Sequence, residues 1–401
     1  MSTAAPGNLD GDLSASLQGM KVEEVGDHHK YTDEREIDYG EHAPDSGVSV
    51  IKVAKELLGS VKKGSDVTGV NLPASVLDPM SSLEKGAKSL QRGELIPVIC
   101  SMKTPEERFL GIVKFQLAGL PKERFGKKPY NPVLGEVFRC CFKHKDSSVT
   151  MLYAEQVSHH PPITALHLHN PTHGFTMNSF MRPEPKYWGN SVEVRLSGLI
   201  RISLDKYNET YELVRPQIWT SGLLGIGKQR VEFLGETTIR CEASGLEASF
   251  EYKGKGMMGM RGDANVVTGT VKEIASGKTL YEINGIWDQQ VKVKDVRTKQ
   301  ESVLFDYEQV KKDYSMKMWV PPKEDLEPNN SLVLWAKCSE AIWAADTPGA
   351  NEEKKLVEDY QRSLRKKREE MNIVWESAYF DVDGDGYKFK SHLEDRLKAA
   401  N

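Results

Sequence analysis

The chain has 401 residues, 39% of them hydrophobic, enough to bury a sizeable core in one large domain or two smaller ones, which excludes disorder of the whole. Its formal charge of −4, with 28% charged residues of both signs, argues against a nucleic-acid partner and leaves any membrane contact to local patches. The five cysteines (Cys100, Cys140, Cys141, Cys241 and Cys338) form no C-x-x-C pair and fit neither a disulfide framework nor a zinc site, so a reducing compartment, with no metal and no cofactor, is expected.

The opening MSTAAPGNLDGDLS lacks a basic n-region and an apolar h-region, and no window approaches the roughly 18 apolar residues of a spanning helix. A soluble, cytosolic protein is expected. Residues 1–45 carry few large apolar side chains and cannot offset the entropy of ordering, which predicts a flexible tail. From there Val50, Ala54, Leu57, Leu58 and Val61 recur at helical spacing, with Lys52, Lys55, Lys62 and Lys63 on the other side. This short basic amphipathic helix is open to three roles: packing on the core, covering a pocket, or touching a membrane.

Thr104-Pro105-Glu106-Glu107 combines an N-cap, a first-turn proline and a capping-box glutamate ahead of Phe109, Ile112, Val113 and Leu117, with Gly119 as the stop. It predicts a buried helix. After Pro132 the texture changes to short alternating runs such as 191–197, 269–274 and 279–283, separated by turn residues. Residues 133–310 therefore read as one large antiparallel β-structure, barrel or sandwich. Helical spacing returns after Asp346, where Leu356, Val357, Tyr360 and Leu364 share a face.

In Glu155-Gln-Val-Ser-His-His-Pro-Pro162, two histidines before two prolines cannot lie in a regular helix, so His159 and His160 are held at a strand end. A structural pair, a metal site and a general base are the alternatives. No third ligand sits at a metal-binding spacing, and no G-x-S-x-G, Walker loop or dinucleotide fingerprint accompanies the pair. Lys128-Pro-Tyr-Asn131-Pro is either a plain helix-to-strand connection or a pinned loop offering Lys128 and Asn131 to an anion. Lys354, Glu358 and Arg362 fall within an arc of about 80° on a helix, as a surface ion-pair ladder or part of a binding site. Asp381-Val-Asp-Gly-Asp-Gly386 imitates the start of an EF-hand, but His392 would stand where the bidentate glutamate belongs, so it reads as a turn.

The stretch from Glu155 to Pro162 resembles the signature of the oxysterol-binding protein family. Lys127 to Glu136 and Lys354 to Arg362 agree with that resemblance in order and spacing, over about residues 46–400. Tyr130 departs from it, where many relatives carry an aliphatic residue. The resemblance implies a short, single-domain member: a large near-closed antiparallel β-barrel around an apolar lipid tunnel, with an N-terminal helical lid and a C-terminal helical subdomain. Residues 1–45 would be the tail, 46–72 the lid (Val50, Ala54, Leu57, Leu58, Val61), 73–345 the helices and barrel, and 346–401 the C-terminal subdomain.

It also implies an intracellular lipid transfer protein, peripheral at intracellular membranes and not an enzyme. Such a protein would bind phosphatidylinositol 4-phosphate and exchange it for a sterol or phosphatidylserine, meeting anionic membrane surfaces transiently. Lys128, Asn131, His159, His160, Lys354 and Arg362 would contact the head group, and Glu358 would orient Lys354 and Arg362 or meet an inositol hydroxyl. Leu72 to Pro79 resembles the phosphatidylserine-handling branch. A non-transferring lipid sensor and a His-dependent hydrolase are the alternatives.

Overall fold

The computed structural model describes residues 35–38, 47–254 and 263–399. Most of the expected tail lies outside them. Within it, however, Arg35–Ile37 (β1) is an ordered edge strand, aligned antiparallel to Met318–Val320.

Helices come first: α1 (Val50–Leu58), α2 (Ser82–Ser89), α3 (Leu95–Ser101) and α4 (Pro105–Ala118). The last has the expected form, with Thr104 and Glu107 making both arms of the capping box. α1 is shorter than its spacing suggests. It stops at Leu58, before the weak helix formers Gly59 and Ser60, so Val61 lies beyond it.

Two short strands, β2 (Leu77–Ser81) and β3 (Lys128–Tyr130), pair with each other in parallel. The main sheet then runs through β4 (Val137–Lys143), β5 (Val149–His159), β6 (Pro162–Asn170), β7 (Phe175–Tyr187), β8 (Ser191–Ser197), β9 (Leu199–Leu204) and β10 (Glu209–Val214). It continues through β11 (Gln217–Ser221), β12 (Arg230–Cys241), β13 (Leu246–Lys253), β14 (Val266–Glu273), β15 (Thr279–Ile286), β16 (Gln290–Asp295), β17 (Glu301–Asp306) and β18 (Met318–Val320). The three runs singled out by alternation are all strands: β8, β14 and β15.

With β1, these make one 16-stranded antiparallel sheet. It curls into a near-closed ring with β1 and β17 at its two edges, and between the long strands β7 and β12 the neighbours come as two bent strands, each in two pieces. β7 pairs with β9 over Phe175–Ser179 and with β8 over Arg182–Tyr187, while β12 pairs with β11 at one end and β10 at the other. β8 pairs with β11 and β9 with β10, so β8–β9 and β10–β11 run side by side as two bent strands between β7 and β12. Gly235, at φ +93°, stands in β12 after the β11-paired segment, where a left-handed backbone lets the strand bend.

Strands such as β10 alternate buried and exposed residues, so one face points inward. Part of the inner face is filled by Leu83, Ile96, Ile99, Phe109, Ile112 and Val113 from α2–α4. Outside β4–β6 the C-terminal region packs Tyr379, Phe380 and Phe389 against Met151 and Tyr153. That region comprises α5 (Tyr307–Tyr314), α6 (Ser331–Leu334), α7 (Ala336–Trp343), α8 (Thr347–Met371), the hairpin β19 (Phe380–Asp383) and β20 (Gly386–Phe389), and α9 (Ser391–Ala399). The Asp/Gly run at 381–386 forms the tip of that hairpin, with Gly384 and Asp385 as its turn. α8 buries Ala350, Gln361, Leu364 and Arg368, while Leu356, expected on the apolar face, is 56% exposed. No helix among the described residues is long and apolar enough to cross a membrane.

Candidate functional site

The part of the ring that α2–α4 leave empty is a cavity of about 1150 Å³, larger than most small-molecule sites. Met177, Met181, Val194, Ile200, Ile218 and Phe233 line it from the strands, and Phe115 and Leu120 bound it at the end of α4. α1 covers it with Val50, Val53, Ala54, Leu57 and Leu58. Ala54 and Leu58 also pack on Tyr187 and Leu223, and Val61 joins that cluster without lining the cavity.

The wall carries eight basic side chains (Lys85, Arg92, Arg124, Lys127, Lys128, Arg182, Lys186, Arg215) against three acidic ones (Asp66, Glu123, Glu184). Such an excess in a low-dielectric space favours an anionic occupant.

Lys128 is placed by β3, which is fixed on one side by β2 and on the other by Tyr130, stacked on Trp335 at 4.5 Å. Its ammonium donates to Asn131 Oδ1 at 2.7 Å. Burial, reinforced by the charges of Lys354 and Lys85, brings its pKa down to about 8. Lys85 is in turn tied to Glu123 at 2.5 Å.

The histidine stretch divides its labour. Glu155 is fully buried and faces away from the cavity, accepting from Ser377 Oγ at 2.6 Å and from the Ala378 and Tyr379 amides at 2.8 Å. It pins the C-terminal segment to β5. The β5–β6 register shifts between Gln156 and Ser158, and this irregularity changes the phase of the strand so that Gln156 and His159 both line the cavity. His159 Nδ1 is 3.1 Å from the Pro132 carbonyl, and its ring meets that of His160 edge-on at 4.7 Å. Desolvation first, and then the His160 ring, push the His159 pKa below its usual value.

α8 crosses beside this corner. Lys354 donates to Glu358 Oε1 and to Asn71 Oδ1, each at 2.5 Å. Lys354 acts on Lys128, and Glu358 on His159, through their charges. Arg362 is not brought in with them: its guanidinium pairs with Asp359 and is 56% exposed. Arg365, itself 53% exposed and 3.7 Å from Glu369, is near enough for its charge to lower the His159 pKa. The helix pitch explains the exchange. Eleven residues are about three turns, which puts Arg365 within roughly 20° of Lys354, whereas Arg362 is about 80° away. Lys85, Asn71 and Gln156 also went unread in the sequence, because only tertiary packing brings them to this corner.

The profile of the family described as oxysterol-binding protein matches residues 56–397. An oxysterol-binding protein homolog of Schizosaccharomyces pombe is 32% identical over 354 residues, covering 85% of this chain and 72% of that protein. Oxysterol-binding protein 10 of Dictyostelium discoideum is 33% identical over 300 residues, 75% of each chain. The Osh1 ORD domain in complex with cholesterol superposes with a TM-score of 0.74 at 23% identity, covering 99% of this chain and 97% of that one. The Osh3 ORD of Saccharomyces cerevisiae in complex with PI(4)P gives 0.70 at 20% identity, covering 92% and 98%. At these identities the structures share the fold.

Proposed function

The chain belongs to the oxysterol-binding protein family, and from that premise we propose that it is a lipid carrier exchanging phosphatidylinositol 4-phosphate for a second lipid between membranes. The observation that carries this reading is the corner where Lys128, Lys354 and Lys85 sit with His159 and His160 at the edge of an apolar cavity of about 1150 Å³. Lys85 and Lys354 are paired with Glu123 and Glu358, but Lys128 meets only Asn131, and a phosphomonoester supplies two negative charges and three acceptor oxygens to offset it. In this reading the inositol phosphate sits between Lys128, Lys354 and the histidines, with Asn131 and Glu358 orienting the cations, and the acyl chains enter the cavity under α1. Arg365 takes the place given to Arg362 by sequence.

The carrier performs no bond chemistry. His159 is turned to a backbone carbonyl and a second imidazole, an arrangement that holds a ring in place rather than activating a nucleophile. The test is extraction of phosphatidylinositol 4-phosphate from vesicles, followed by transfer to acceptor vesicles lacking it, with the lipids identified by mass spectrometry. Stoichiometric extraction and intact lipid in the acceptor are expected. Retention of the lipid in the donor, or release of a hydrolysed product, would overturn the reading.

A further inference from the structure

Away from the lysine corner, one cation of the cavity wall is held by neutral acceptors alone. Arg215, between β10 and β11, donates from Nη1 to the Phe180 carbonyl at 3.1 Å and from Nη2 to Ser179 Oγ. Both acceptors are neutral. Lys85 and Arg182, on the same wall, each have a carboxylate, Glu123 and Glu184. Arg215 has no such partner among the described residues, and burial alone lowers its pKa, to about 10, so it remains charged at neutral pH. A desolvated cation without a counter-ion destabilises the empty protein, and two hydrogen bonds use only part of a guanidinium's five donors.

Its position separates it from the lysine corner. Ser179 pairs with Leu166 of β6, four residues beyond Pro162, which is the partner of His159. At about 3.3 Å per residue this is roughly 13 Å along the sheet from the histidines. Met177, Met181, Ile200 and Ile218 line the same cavity and suit hydrocarbon chains.

We propose that Arg215 is a second anion subsite inside the cavity, which holds the phosphate of a diacyl glycerophospholipid, with or without a neighbouring carboxylate, and so selects an anionic lipid over a neutral sterol as the second cargo. This rests on the carrier reading and narrows its cargo. A guanidinium can engage two acceptor oxygens at once, whereas a sterol offers one hydroxyl and no charge to offset.

The experiment compares wild type, Arg215→Gln and Arg215→Lys in extracting lipid from phosphatidylcholine vesicles carrying phosphatidic acid, phosphatidylserine, phosphatidylinositol 4-phosphate or cholesterol. Losing one charge-assisted contact should cut extraction of the anionic second cargo about tenfold in Arg215→Gln, with a smaller loss in Arg215→Lys and none for cholesterol. Equal losses for phosphatidic acid and phosphatidylserine identify the phosphate as the bound group; a loss for phosphatidylserine alone overturns the phosphate assignment. Retention of both lipids within about twofold of wild type overturns the proposal, as does a loss confined to phosphatidylinositol 4-phosphate or shared equally by cholesterol. If thermal unfolding shows that the variants do not fold, competition on wild type decides. Vesicles with equal phosphatidic acid, phosphatidylserine and cholesterol should load the protein with an anionic lipid, and preferential retention of cholesterol sinks the idea. Wild type that extracts phosphatidylinositol 4-phosphate but ignores Arg215 substitution removes this inference alone; wild type that extracts no lipid removes the carrier reading as well.

Discussion

Lys354 Nζ donates to Asn71 Oδ1 at 2.5 Å, joining two residues 283 positions apart in the chain. The neighbouring contact between Asn351 Oδ1 and the Ala74 amide, at 2.8 Å, fastens α8 to the same segment. Lys354 thus serves two elements, the stretch leading from α1 and the cationic corner around Lys128. A phosphate that recruited this ammonium would loosen its hold on Asn71, so head-group binding and release of the covering segment would be coupled through one cation.

Asn71→Ala should therefore speed cargo release without altering which lipids are bound. A hydrogen bond to a charged group is worth about 1.5–3 kcal/mol when buried and less at this exposed position, so dissociation should quicken several-fold. Stopped-flow release of a fluorescent lipid into excess vesicles measures it. Unchanged release would show that the Lys354–Asn71 contact holds nothing closed.

Lys128 supplies a pH dependence. Its folded pKa of about 8 lies below the ordinary lysine value of 10.5, so the unfolded chain holds more protons between these limits. Its contribution to ligand-free stability thus rises as pH climbs from about 8 to 10.5. Phosphoinositide binding favours the charged ammonium and should change in the opposite sense, weakening above pH 8 towards about tenfold per unit. Lys128→Arg, cationic throughout, should lose this component. Calorimetric titration across pH 7–10 on both proteins is the measurement, and parallel pH profiles would exclude Lys128 as the titrating contact.

Along α8, Arg365 should matter more than Arg362. Arg365→Ala removes a charge that depresses the His159 pKa and should let that imidazole titrate at higher pH, visible by NMR. It should also weaken phosphoinositide binding about three- to tenfold, in keeping with a partly solvated contact. Arg362→Ala breaks an exposed pair with Asp359 and should cost a few tenths of a kcal/mol of stability with binding intact. The reverse ranking would restore Arg362 to the head-group site.

These differences mark where sequence stops being legible. The helix at Pro105–Ala118 could be read because its capping box is local, and the strands because alternation is a two-residue pattern. The histidine pair stood out because its prolines forbid helix. Of the expected α8 face Leu364 is buried and Val357 packs on the core, but Leu356 is exposed because α8 is docked by Ala350, Gln361, Leu364 and Arg368, a stripe rotated from the one that apolar residues alone suggest. The phase change between Gln156 and Ser158, which sets His159 on the cavity side with Gln156, leaves no mark in composition. Arg215 could not be read at all: that it pairs with no carboxylate among the described residues is set by a fold that joins β7, β10 and β11.

The cover provides the last prediction. α1 is fixed by few contacts, chiefly Ala54 and Leu58 against Tyr187 and Leu223, and by a close approach of Val50 to Gly126. A Cβ at residue 126 would come within 2.5 Å of the Val50 side chain, and the φ of +73° also favours glycine there. Leu58→Ala removes buried methyls at the cavity rim, where about 2–3 kcal/mol is expected from the low end of leucine truncations. Because the sheet does not depend on α1, that loss should appear as local opening rather than global unfolding. Amide exchange in Val50–Leu58 should accelerate about 30-fold or more, while Arg230–Leu234, paired inside the ring, keeps its protection. Gly126→Ala should act in the same direction by pushing Val50 outward. Both variants should then release lipid faster, with little change in thermal midpoint. Uniform loss of protection across α1 and β12 would show instead that α1 is part of the cooperative core, and that cargo leaves by another route.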